Sequence, residues 1–118
     1  MQLSVVSSEG GIVKLRCEGD ISQKDIDPGS DPIEALLGAD CYTRTVLLNL
    51  DLTHYVDSSG VGWLMGRHKQ FLSGGGKLIL HSIPPMVSQV LQLLRMSMIL
   101  YMASDESAAM KMATGEKK

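Results

Sequence analysis

The stretch from Val46 to Leu52 constrains the fold of this 118-residue chain more than any other. It has the sequence Val-Leu-Leu-Asn-Leu-Asp-Leu, so its first half is nearly continuously apolar and begins with a β-branched residue. Such a strand is typical of the centre of a parallel sheet, where helices cover both faces. The stretch therefore predicts a central strand with an α/β domain built around it.

Two strand patterns precede the central strand. Residues 2–7 and 12–17 both have strand character, and in the second of them apolar and charged side chains alternate, as expected when one face is buried. A glycine-containing turn at 8–11 joins them, which predicts a β-hairpin. A polar loop with four aspartates follows, and a short helix ending at Gly38 leads to the central strand.

Helices and strands alternate after the central strand, which favours parallel pairing with right-handed crossovers. The predicted fold is α/β, with an N-terminal β-hairpin joined to a mixed, largely parallel sheet that about four helices cover. We expect a single domain over residues 1–113 and a flexible C-terminal tail over 114–118. The predicted elements are a helix to about Leu72, a strand at 77–81, a helix at 86–96, a strand at 98–102 and a last helix capped by Ser104 or Asp105.

Composition and charge exclude several classes of function. A net charge of −2 argues against a nucleic-acid partner, and an aromatic content of 4% argues against base stacking. Cys17 and Cys41 have no zinc-binding spacing, so we expect buried thiols and neither a metal nor a cofactor. The N-terminus has no signal-peptide pattern and no apolar run reaches the ~20 residues of a membrane span, which together favour the cytoplasm.

Residues 56–62 form the segment most suited to a functional site, because they link the central strand to a helix. Their sequence is Val-Asp-Ser-Ser-Gly-Val-Gly, and we place Ser58 at the N-cap of the helix or one residue before it. The free N–H groups and the dipole of a helix N-terminus tolerate an added phosphate. Gly60 and Gly62 keep bulk away from the hydroxyl, so that another protein's active site could approach it.

Trp63 falls away from the predicted buried side of this helix. At about 100° per residue, most apolar residues from Val61 to Leu72 lie on one side of the helix, together with His68. Trp63 does not lie on that side. Two interpretations remain: an exposed anchor for a partner protein, or a side chain packed beneath a neighbouring loop. In the first, Trp63, Arg67 and Gln70 extend a binding face that begins at Ser58.

The chain resembles the STAS domain of bacterial anti-sigma factor antagonists over most of residues 1–113. Its central motif, Asp57 to Gly62, is similar to the Asp-Ser-Ser/Thr-Gly-Leu/Val-Gly run of that family, which also lies between a strand and a helix. Further similarities are Gly19-Asp20-Ile21, Gly66-Arg67, the glycine turn and strand at 74–80, Val87 to Leu91, and Met102 to Ala108.

The resemblance implies a regulatory protein rather than an enzyme. In the family, the unphosphorylated antagonist binds an anti-sigma factor that is also a serine kinase, and so releases the sigma factor. The kinase phosphorylates the serine that matches Ser58, with Ser59 as the alternative, and a PP2C-type serine phosphatase resets the protein. The residues expected to contact the partner are Asp57, Ser58, Ser59, Gly60, Val61, Gly62, Trp63 and Arg67.

Some features leave other interpretations open. The loop from Ser22 to Pro32 is polar and departs from the family pattern, so the sequence does not identify the partner. One alternative is a STAS scaffold in a stress-signalling or transporter complex, without a serine switch. A remote one is a small serine hydrolase that uses Ser58 or Ser59 with His54 and Asp57. Against it, Val56 stands where a Gly-x-Ser-x-Gly motif needs glycine.

Overall fold

A five-stranded mixed sheet forms the centre of the protein. The computed structural model describes residues 1–26 and 31–115. The strands lie side by side in chain order; the first pair is antiparallel and the other three pairs are parallel. This arrangement confirms the predicted hairpin and largely parallel sheet. The strands are β1 (Gln2–Glu9), β2 (Ile12–Glu18), β3 (Thr45–Leu52), β4 (Lys77–His81) and β5 (Tyr101–Ala103).

Within the described residues, four α-helices cover the two faces of this sheet. They are α1 (Pro32–Leu37), α2 (Ser58–Gly74), α3 (Pro85–Leu93) and α4 (Glu106–Thr114). Leu47 and Ile79 pack with Ala109 of α4 on one face, whereas the larger core on the other face includes Leu64 of α2 and Leu91 of α3. Both faces of the central strand β3 are therefore covered, as its apolar sequence predicted.

The hairpin turn shows why two glycines join β1 and β2. Gly10 and Gly11 have φ values of +59° and +81°, in the left-handed region that other residues rarely adopt. The same conformation at both central positions is typical of the two-residue turns that match the twist of a hairpin. The predicted turn is therefore confirmed.

The region after α3 differs from the prediction. The helix ends at Leu93 rather than near residue 96, because Arg95 adopts a left-handed φ of +60° and a 3₁₀ turn follows at Met96–Met98. Met98 therefore lies in that turn, and the last strand begins only at Tyr101. Leu94 lies just past the end of the helix and is 47% exposed.

The last helix begins where the sequence indicated. Asp105 is its N-cap, and its carboxylate accepts a hydrogen bond from the backbone N–H of Ala108 at 2.8 Å. Thr114, assigned to the tail by the sequence, is the last residue of α4, and residues 116–118 of the predicted tail lie outside the described residues. In residues 1–26 and 31–115, no helix has the length and apolar character needed to cross a bilayer.

Candidate functional site

The predicted functional segment connects the carboxyl end of β3 to α2. Val56 forms a parallel bridge with Ile21, which follows β2. Two backbone hydrogen bonds secure this contact: Ile21 donates to the carbonyl of Tyr55 at 3.1 Å, and Asp57 donates to the carbonyl of Ile21 at 3.3 Å. The start of α2 is thus attached to the chain that leaves β2, at the edge of the sheet where α/β proteins place their sites.

Asp57, not Ser58, caps α2. One carboxylate oxygen of Asp57 accepts the backbone N–H of Gly60 at 2.8 Å, and the other accepts the backbone N–H of Gln23 at 3.1 Å. The prediction that Ser58 is the N-cap or precedes it is therefore wrong, and Ser58 is the first residue of the helix. A carboxylate has two acceptor oxygens and can bind both N–H groups at once, which one hydroxyl oxygen does less well.

The two serines of the motif are both exposed. Ser58 and Ser59 are the first two residues of α2, so their hydroxyls lie at the positive end of the helix dipole. Because Asp57 does the capping, the Ser58 hydroxyl is not required to satisfy a backbone N–H of the helix. The arrangement therefore presents an exposed hydroxyl in a position that accommodates an added anion.

Gly60 and Gly62 differ in what surrounds them. A Cβ on Gly60 would fall inside the contact distance of the Ile21 carbonyl oxygen, so only glycine permits the two segments to approach. Among the residues that the structure describes, a Cβ on Gly62 would meet nothing within 4 Å, and the same is true of Gly66 one turn later. The outer side of α2 is therefore open next to the serines.

Trp63 is buried, which contradicts its interpretation as an exposed anchor. Only 9% of it is exposed, and its indole N–H donates to a carboxylate oxygen of Asp31 at 3.0 Å. The second interpretation, packing beneath a neighbouring loop, is the one that the structure supports. The helical angle alone misses this environment, since the hydrogen-bond partner of the indole lies 32 positions earlier in the chain.

Arg67 also contacts Asp31 rather than projecting freely. Its guanidinium lies 3.5 Å from the Asp31 carboxylate and donates to the hydroxyl of Tyr42 at 2.7 Å. That hydroxyl in turn donates to the carboxylate of Glu34 at 2.6 Å. Burial, with the hydrogen bond to Glu34 second, raises the pKa of Tyr42 well above its usual range, so the phenol stays protonated and acts as a donor. We call Asp31, Glu34, Tyr42, Trp63 and Arg67 the Asp31 network.

Sequence reasoning missed three members of this network, namely Asp31, Glu34 and Tyr42. A local signal existed for the first two, because Asp-Pro-Ile-Glu has a capping aspartate, a proline at the first helical position and an acidic residue two positions later. Asp31 does cap α1, accepting the backbone N–H of Glu34 at 3.0 Å. No sequence pattern indicates that the same carboxylate also binds Trp63.

Comparison with known proteins identifies the family. A family model described as STAS domain matches residues 5–109. The chain belongs to the STAS domain family. Its fold is also similar to that of TM1081 from Thermotoga maritima, at a TM-score of 0.82 and 20% identity over 95% of this chain and 94% of that one.

The same fold occurs in a second protein, SpoIIAA, whose two solved forms differ in phosphorylation. The unphosphorylated anti-sigma factor antagonist SpoIIAA matches at a TM-score of 0.66 and 24% identity, over 99% of this chain and 98% of that one. The phosphorylated form of Bacillus SpoIIAA matches at 0.60 and 21% identity, over 93% and 98% of the two chains. At these identities the similarity shows the fold, and it confirms the resemblance seen in the sequence.

The STAS domain exposes only some of the residues predicted to contact a partner. Ser58, Ser59 and Gly62 are exposed, and Asp57 is half-buried. The side chain of Val61 faces the core at 5% exposure. Gly60 and Trp63 are buried and Arg67 is half-buried. An interacting protein would therefore meet mainly the serines and the glycine backbone of α2.

The three histidines have separate environments. His81 is 2% exposed and shares a hydrogen bond of 2.8 Å with the Ser82 hydroxyl. His68 is buried as predicted, but its Nδ1 has no hydrogen-bond partner among the described residues. His54 is exposed and lines a shallow apolar cavity of about 130 Å³ beside α3. Within the part of the chain described, no three His, Cys, Asp or Glu side chains are grouped to hold a metal ion.

Proposed function

We propose that this STAS domain is an anti-sigma factor antagonist whose binding is switched by phosphorylation of Ser58. The proposal rests on the different roles of Asp57 and Ser58 at the start of α2. Asp57 caps the helix, and this leaves Ser58 exposed as its first residue with a hydroxyl that capping does not require. A kinase can therefore modify Ser58 without removing the cap that holds the helix.

The glycines of α2 support a protein as the partner. Gly62 and Gly66 each cost a helix about 1 kcal/mol relative to alanine, and no other described part of the chain lies within 4 Å of a Cβ built on either one. Because these positions have no side chain, the backbone of an approaching protein can come close to α2 beside Ser58. The open glycines support a partner-binding surface on the outer side of the helix.

A phosphate on Ser58 would weaken this binding by electrostatics and desolvation. It adds a charge of about −1.5 to −2 at the centre of the proposed interface. A charge buried without a partner in such an interface costs several kcal/mol, which lowers affinity by orders of magnitude. Asp57 is the half-buried carboxylate adjacent to it, so the local charge is already negative. The helix N-terminus would still hold the phosphate within the folded domain.

The proposed cycle has two protein partners of opposite action. The unphosphorylated domain binds an anti-sigma factor that is also a serine kinase, and thereby frees a sigma factor. Transfer of the γ-phosphoryl group of ATP to the Ser58 oxygen, with loss of the hydroxyl proton and release of ADP, then ends the binding. A PP2C-type serine phosphatase hydrolyses the phosphoserine and returns the first state.

Phosphate mapping with matched serine variants tests the proposal. The protein is incubated with ATP and each purified anti-sigma serine kinase encoded in the same genome, and the modified residue is located by mass spectrometry. We expect phosphate on the wild type and on Ser59→Ala, and none on Ser58→Ala. Ser58→Asp should bind the kinase at least tenfold more weakly than Ser58→Ala.

Three results would contradict this switch. Phosphate on Ser59 alone would move the site to the neighbouring residue. Tight binding of a kinase with no modification of either serine would instead favour a STAS scaffold without a serine switch. Equal affinity of Ser58→Asp and Ser58→Ala would show that charge at this position does not control binding.

A further inference from the structure

We propose that Asp31, Trp63 and Arg67 are positioning residues for the partner-binding surface. In this inference, which rests on the proposed function, they attach α1 to the side of α2 and so fix one border of the surface around Ser58. Trp63 and Arg67 then influence affinity by holding α1 in place, not by touching the partner.

Two attachments to α2 are described for residues 21–26 and 31, which lie between β2 and α1. The first is the start of α2, where Ile21 and Gln23 contact Val56, Asp57 and Gly60 through backbone and cap interactions. These contacts are close and depend mostly on backbone atoms. They hold residues 21–23 next to the first turn of α2 whatever the later side chains are.

The second attachment depends on side chains of the Asp31 network. The Asp31 carboxylate accepts the Trp63 indole N–H at 3.0 Å and lies 3.5 Å from the Arg67 guanidinium. Its other oxygen caps α1 through the Glu34 backbone N–H at 3.0 Å. One carboxylate therefore fixes the start of α1 and attaches it to the second and third turns of α2.

The chemistry of this attachment indicates that it fixes the arrangement of α1 and α2. The side chains of Asp31 and Arg67 are only 12% and 21% exposed, so forming the pair removes much of their hydration. Partly desolvated ion pairs contribute little net stability compared with apolar packing, but their directional hydrogen bonds select one arrangement of the elements they join. Tyr42 extends this fixed arrangement by bridging Arg67 and Glu34.

The position of Trp63 links this geometry to the proposed switch. Trp63 lies four residues after Ser59, about one helical turn, on the same side of α2. The exposed hydroxyls and the open glycine positions therefore lie beside the edge that α1 forms. A partner that approaches Gly62 and Gly66 meets α1 at a distance from α2 that the Asp31 network sets.

Two conservative variants separate positioning from direct contact. Trp63→Phe keeps an aromatic ring but removes the N–H donor together with part of the ring volume, and Asp31→Asn keeps an acceptor and removes the charge that faces Arg67. Each variant is compared with the wild type in affinity for the kinase that phosphorylates the wild type, in KM and kcat for that phosphorylation, and in hydrogen exchange of the Glu34 and Ala35 amides. The control is Asp51→Asn, which breaks the exposed Arg16–Asp51 pair on the sheet.

Positioning predicts a coupled change in both network variants. We expect Kd and KM to rise about 3- to 10-fold, kcat to stay within twofold, and the two α1 amides to exchange at least fivefold faster. The double variant should lose less affinity than the product of the two single losses, because both act on one attachment. Asp51→Asn should match the wild type in every measurement.

The remaining outcomes overturn the inference. Weaker binding without faster exchange in α1 would mean that Trp63 or Asp31 touches the partner directly. Faster exchange with unchanged Kd would mean that the placement of α1 does not matter for binding. If no kinase binds the wild type, the proposed function fails, while the exchange measurement, which needs no partner, still decides whether the network holds α1.

Discussion

The inner and outer sides of α2 both carry glycines, but the rest of the chain packs closely against only one set. On the inner side, Gly60 lies against the Ile21 carbonyl and Gly74 against the backbone of Tyr42. On the outer side, no atom of residues 1–26 or 31–115 lies within 4 Å of a Cβ built on Gly62 or Gly66, apart from the helix itself and the chain neighbours. Interior glycine lowers helix stability by a similar amount in either place. Packing of the fold explains the inner pair only.

The difference separates the residues of α2 that folding requires from those that are open to another molecule. Residues on the inner side permit close backbone approach and should be intolerant of substitution. Residues on the outer side make the isolated domain less stable than it need be, which is typical of positions kept open for another molecule. Substitutions on the two sides should therefore have effects of opposite sign.

The largest effect is expected for Gly60→Ala. The added methyl group collides with the carbonyl oxygen of Ile21. Because this is a backbone atom, it cannot rotate away as a side chain can, and the bridge between Ile21 and Val56 must open. We expect the free energy of unfolding to fall by about 3 kcal/mol. Urea denaturation followed by circular dichroism measures this free energy. A midpoint equal to that of the wild type would contradict the distinction between the two sides.

A smaller effect of opposite sign is expected for Gly62→Ala. Nothing lies near the new methyl group, so alanine should raise the free energy of unfolding by about 0.5–1 kcal/mol through its better helix propensity. The same substitution should lower affinity for the proposed kinase, because it fills the open surface. Gly66→Ala makes the same test at the second open glycine. Loss of stability in either variant would show that the outer side is packed after all.

The smallest effect concerns the inner-side histidine, His68. Burial, with Lys69 as a lesser cause, lowers its pKa below the usual 6.5, so the folded state binds a proton less readily than the unfolded chain. Stability should therefore be highest above pH 6.5 and fall as the pH drops below it. Urea midpoints at pH 7 and pH 5 should differ less in His68→Leu than in the wild type.

A residual pH dependence in that variant is expected from His81. Its pKa is also lowered by burial, against the opposing influence of Glu106, Asp51 and Asp105. An unchanged difference between pH 7 and pH 5 on replacing His68 would contradict the prediction for the inner side of α2.

The sheet was predictable from the sequence because its determinants are local. The apolar run of β3, the alternating pattern of β2 and the glycine turn between β1 and β2 each encode one element within a few residues. The strand β4 was predicted with its observed limits, since glycine precedes it and a proline pair follows it. The end of α3 was predicted three residues late, because a left-handed Arg95 has no distinctive sequence signal.

The site was predictable in position but not in detail. The motif identified the correct turn of α2, yet the choice between Asp57 and Ser58 as the cap depends on distances to backbone N–H groups. The indole of Trp63 binds Asp31, which is remote in sequence and near only in the fold. Helical periodicity describes which side faces the sheet, and it carries no information about loops that cover the other sides.

The burial of Trp63 also gives the domain a built-in optical probe. It is the single tryptophan of the chain, so the fluorescence of the protein excited at the red edge of indole absorption comes from one known place. That place is the junction of α1 and α2, where the indole N–H meets a carboxylate. Separation of the two helices would expose the ring to water, and the attachment can therefore be followed in real time without a label.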